Sequence, residues 1–152
     1  METPKAYRAI LIGGLIAGAL DITFAFIFYG LRGSSPIRIL QSIASGALGA
    51  RAFTGGAKTA ILGGFFHFFI AITAAAIYYF ASRKLRFMSN QAIICGVLYG
   101  VCIYLFMNFV VLRLSAIPFK PTYPLRVVIP GLLIHMFGIG LPISLVVRRY
   151  SR

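Results

Sequence analysis

Apolar residues run along this chain in four long blocks, 7–29, 59–81, 91–112 and 127–147. Each is long enough to cross about 30 Å of hydrocarbon as a helix, which takes roughly 20 residues. Helices are the form to expect, because each one satisfies its own backbone polar groups inside lipid. Glycine and proline inside the blocks do not argue against this, since membrane helices tolerate both. The pattern predicts an all-α, polytopic membrane protein: one domain over residues 1–152 with four transmembrane helices and no room for a second domain.

The polar intervals carry structure of their own. In the first, Ser35 and Pro36 form a helix start, with serine as N-cap and proline at the first helical position. Ile37, Leu40, Ile43, Ala44, Ala47 and Leu48 then recur at helical spacing, while Arg38, Gln41, Ser42 and Ser45 take the other side. This is a short amphipathic helix ending near Gly49, too short to span, that lies at the interface or packs across the mouth of the bundle. The third interval, 115–126, holds Pro118, Pro121 and Pro124 and predicts an extended strap. Pro142 is expected to bend the last turns of the fourth span.

Composition sharpens the class. The 152 residues are 60% hydrophobic and 11% charged, against about 25% charged in an ordinary soluble domain. The net charge of +13 does not indicate nucleic acid, because the 15 Lys and Arg fall between the spans rather than on one face. Such flanks hold topology and attract anionic lipid headgroups. Compact clusters at Arg83–Arg86 and Arg148–Arg152, against span ends, place both termini in the cytoplasm. Tyr7, Tyr29, Tyr78, Tyr79, Tyr123 and Tyr150 lie near span ends, where amphipathic rings prefer to sit. Cys95 and Cys102 read as small buried hydrophobes.

Against this background the polar residues inside the blocks stand out. Asp21 is one of two acidic residues in the chain, and it lies deep in the first block. An ionisable carboxyl there is costly and marks a candidate site. At about 1.5 Å of rise per residue, Asp21, His67, Tyr104 and His135 each fall roughly 12 Å from the outer end of their span, with Asn108 about a turn above. One polar side chain per helix thus falls in a single layer. Gly14 and Gly18 share a helix face with Asp21, and Gly63, Gly96, Gly100 and Gly131 mark comparable close-packing faces on the other spans. Spans one and three each carry Gly-x-x-x-Gly, and spans two and four each carry Gly-x-x-x-His, so the chain resembles two copies of a helical hairpin.

Two roles fit this layer. In the first, Asp21 pairs with a histidine or tyrosine and ties helices together, in a structural or interaction protein that self-associates through its glycine faces. In the second, a carboxylate facing imidazoles exchanges protons in a small proton-coupled transporter or channel subunit acting as a homo-oligomer. No enzyme is expected, because no catalytic Ser/His/Asp set and no paired carboxylates are available. No metal is expected either: Asp21, His67 and His135 have acceptable donors but no spacing signature. No cofactor is called for; the phenylalanines around His67 and His135 need no haem to explain them.

The segments 14–21, 39–46, 52–56 and 77–83 and the pair Met107-Asn108 resemble uncharacterised bacterial four-span inner-membrane proteins. The paired Gly-rich spans, and the His-bearing spans followed by Arg-Arg, are distantly similar to the YagU type. The resemblance implies four helices in a bacterial inner membrane; it brings no reaction and no catalytic residues.

Overall fold

The computed structural model of the chain describes residues 3–150. Glu2 and Arg152, counted above for charge, lie outside them. Every described element is helical, and four of the rods are long and apolar enough to cross a membrane. The first span is α1 (Thr3–Gly30), and the second is α3 (Gly56–Lys84). A short α4 (Arg86–Asn90) leads into the third, where α5 (Ala92–Phe106) continues through a π-helical segment (Met107–Val111) into the turn α6 (Leu112–Leu114). The fourth joins α7 (Leu125–Ile134), a second π-helical segment (His135–Gly140) and α8 (Leu141–Tyr150).

Spans pack as neighbours in the order two, one, four, three. α1 lies against both α3 and α8, while α5 lies against α8 and the π segment before it. These contacts are close because glycine permits them. A Cβ on Gly14 would meet the Ile72 backbone, one on Gly18 the Phe68 ring, and one on Gly100 the His135 carbonyl. Gly140 faces the Gly96 carbonyl, and Gly131 faces Tyr104. The glycine faces are therefore filled within one chain. Gly18 is buried against span two.

The first interval forms the expected helix, α2 (Pro36–Leu48), with the Ser35 side chain accepting from the Arg38 N–H. Gly49 ends it at φ 61°, a left-handed conformation that favours glycine. α2 packs across the mouth of the bundle on α3, where Gly63 meets the Leu40 carbonyl. Its polar side faces the protein: Gln41 and Ser45 are buried, whereas Ile37 is exposed. At a lipid-covered rim the outside is the apolar environment, so polar groups turn inward to find partners. Gln41 donates to the Gly56 carbonyl at 3.1 Å. The proline-rich strap crosses over α2, and the Ala116 N–H donates to the Gly46 carbonyl at 2.8 Å.

Three local expectations change. Tyr78 and Tyr79 are core residues, 0% and 5% exposed, because they face the other spans two turns inside the end of α3. Cys102 is exposed on the outer face of the third span and Cys95 is half-buried; both are free thiols. The distortion tied to Pro142 lies before it rather than after. Proline has no N–H for the Gly138 carbonyl and its ring crowds that carbonyl, and the preceding turn widens into the π register of His135–Gly140.

Candidate functional site

Spans two and three make almost no direct backbone contact. Between them, roofed by α2 and the strap, lies a cavity of about 1000 Å³. Its floor is set where the Tyr99 hydroxyl donates to the Ala74 carbonyl at 2.7 Å and the Tyr99 ring meets Tyr78 edge-on. Phe69 and Ile70, both exposed on α3, line the rim, so the cavity opens sideways between the two spans.

Asp21, His67, Asn108 and His135 all line this one cavity, each contributed by a different span. Tyr104 does not. It is buried outside, edge-on to His135 with ring centroids 5.3 Å apart. Its rotation follows from Gly131, whose missing side chain leaves space for the Tyr104 ring.

The wall groups differ in how they are held. His67 Nε2 donates to the Gly18 carbonyl at 2.8 Å, bridging spans one and two. His135 Nδ1 donates to the Gly131 carbonyl one turn back, also at 2.8 Å. Because a carbonyl only accepts, the proton of each neutral ring is on the named nitrogen, leaving His67 Nδ1 and His135 Nε2 as acceptors. Asn108 Nδ2 donates to the Tyr104 carbonyl at 2.9 Å, which leaves its Oδ1 as an acceptor too. Asp21 is half-buried, and among the described residues nothing donates a hydrogen bond to its carboxylate or forms an ion pair with it. Nor does any group of three or more His, Cys, Asp or Glu among the described residues converge as metal ligands would.

Both π-helical segments lie on this cavity and open the same way. Each carries a side chain in its first two residues, Asn108 or His135, that donates to the carbonyl four residues back. Competition for that carbonyl favours the wider turn, and such bulges are frequent at functional sites. Tyr123 donates to the Asn108 carbonyl at 2.9 Å and anchors the strap beside the first of them.

The sequence alone did not single out Arg38 or Tyr29 as site residues, yet both line the cavity. Arg38 stands in the roof with its guanidinium 4.0 Å over the Phe53 ring. Its place on the polar side of a helix set across the mouth was the available signal. No protein-family model, no curated protein and no solved structure matches the chain.

Proposed function

We propose that this is a multi-pass membrane protein that binds a small solute in the cavity between spans two and three and carries it in exchange with protons. The reading rests on one observation: Asp21 lines a cavity of about 1000 Å³ and has no hydrogen-bond or ion-pair partner among the described residues. A carboxylate that ties helices together is expected to have one. His67, not Asp21, makes the interhelical bond. The volume sits at the upper end of the roughly 300–1,000 Å³ typical of small-ligand sites.

A bacterial inner membrane as the setting rests on the resemblance alone, and cytoplasmic termini rest on the charge clusters. With that orientation the cavity opens in the outer leaflet. Its walls come from a single chain, so binding needs no second copy. A homo-oligomer would meet through lipid-facing rings such as Phe65 and Phe80, while the basic span ends would hold anionic headgroups.

The test is reconstitution into vesicles with an imposed pH gradient and a panel of labelled solutes. Wild-type protein should drive uptake of at least one solute, and Asp21→Asn should abolish it while expression and thermal stability persist. Equal fluxes in the two proteins would overturn the reading.

A further inference from the structure

Resting on that reading, we infer that the solute is a lipophilic ammonium ion with N–H donors, a protonated primary or secondary amine on an apolar body. The chemistry of the walls selects it. Asp21, His67, His135 and Asn108 all line one cavity, and once their other bonds are made the atoms left over (the Asp21 carboxylate, His67 Nδ1, His135 Nε2 and Asn108 Oδ1) are all acceptors. An ammonium group supplies the donors and the positive charge that this set lacks. Charge-assisted N–H···O bonds are about twice as strong as neutral ones, and more so away from water. The rest of the lining is largely aliphatic and aromatic, including Ala17, Ile22, Phe66, Ile103 and Ile139. That surface suits an apolar body, and the sideways opening gives such a molecule a route from the bilayer.

An anionic amphiphile is the competing chemistry, drawn by Arg38. The roof guanidinium is already stacked on Phe53, so it offers less to a ligand than the acceptors below. A proton and an ammonium ion compete for the same carboxylate, which makes exchange of one for the other a property of the site. The other ionisable groups facing Asp21 across the cavity are Tyr29 on its own helix, Arg38 on α2, His67 on α3 and His135 on the fourth span. The third span offers only the neutral Asn108 there. Protonation of either histidine adds positive charge, so it acts in the same direction as protonation of Asp21. Amine affinity therefore falls as pH falls.

The experiment is calorimetric titration of the full chain in lipid nanodiscs with three cage compounds of matched shape. These are 1-adamantylammonium, its N,N,N-trimethyl analogue and adamantane-1-carboxylate, each titrated from alkaline to acidic pH. The primary ammonium should bind one per chain and weaken towards acid. It should lose about tenfold or more in Asp21→Asn, the scale of one charge-assisted bond, and recover in Asp21→Glu. The trimethyl analogue, lacking N–H donors, should bind several-fold more weakly. Equal or tighter binding of the carboxylate, or an ammonium affinity unchanged in Asp21→Asn, would overturn the ligand class. If the amine does not bind but Asp21→Asn still abolishes a proton-driven flux, the carrier stands and the amine falls. Stoichiometric amine binding at Asp21 with no flux of any solute would remove the carrier and keep the site.

Discussion

Around Tyr78 and Tyr99, at the end where the chain turns through α4, spans two and three are fastened to each other. Around Asp21, at the end roofed by α2, the same two spans stand apart. In the first region Tyr99 reaches across to the Ala74 carbonyl, Tyr78 reaches the Met88 carbonyl at 3.3 Å, and Ile143 and Val147 are fully buried beneath them. Here polar atoms of one span are satisfied by its neighbours and apolar side chains fill the remainder. In the second region the polar atoms of Asp21 have no such partner among the described residues, and they line the open cavity. What separates the two ends is whether a hydroxyl can reach a carbonyl across the gap between spans two and three.

The fastened end should therefore be the sensitive one. Gly140 faces the carbonyl of Gly96 and the backbone of Gly100, so no side chain can be added without parting spans three and four. Gly140→Val should cost about 3 kcal/mol or more, at the top of the range for overpacking. It should appear as loss of folded protein in a thermal melt in detergent. A melt like that of the wild type would mean that the interface yields, and that the packed end is no firmer than the open one.

Single interhelical bonds come next. Tyr99→Phe removes the bond to Ala74, and His67→Leu removes the bond to Gly18. Each should destabilise by about 1 kcal/mol, within the range measured for such bonds in membranes. Tyr99→Phe should also let the floor of the cavity loosen. An environment-sensitive dye attached at Cys102, with Cys95 replaced by Ala, reports mobility of the third span and should register this change. His67→Leu should leave the dye signal unchanged, because its bond joins spans one and two.

How far the sequence foretold this arrangement differs between the two ends. Lengths of apolar run placed all four spans, since the hydrocarbon thickness fixes them and the chain cannot evade it. Helical rise put Asp21, His67 and His135 at one expected depth, and the three do line one cavity. Rotation was harder. Tyr104 shares the layer but turns towards Gly131, because where an aromatic ring points is decided by the hole a facing glycine leaves. Tyr78 and Tyr79 looked like interface rings because they lie near a span end; contacts with other helices, invisible along one strand of text, draw them inside. The π segment after Phe106 has no proline to announce it. The roof was half legible: amphipathic periodicity revealed α2, but not that its serines and glutamine face inward.

The smallest expected effect separates the ends most sharply. Asp21→Asn keeps the shape of the side chain and removes its charge. If Asp21 fastened helices as Tyr99 does, the substitution would cost about 1 kcal/mol, the worth of an interhelical bond. With no partner to lose, the same change should instead relieve the cost of holding a carboxylate out of bulk water. The melt should be unchanged or slightly raised, with a gain of about 0.5 kcal/mol or less, as for substitutions away from any fastened feature. A drop of about 1 kcal/mol would put Asp21 in the same class as Tyr99 and make the open end a weaker copy of the closed one. A level or rising melt, together with lost flux, would mean that the carboxylate is kept at a cost to the fold, for something that enters from outside it.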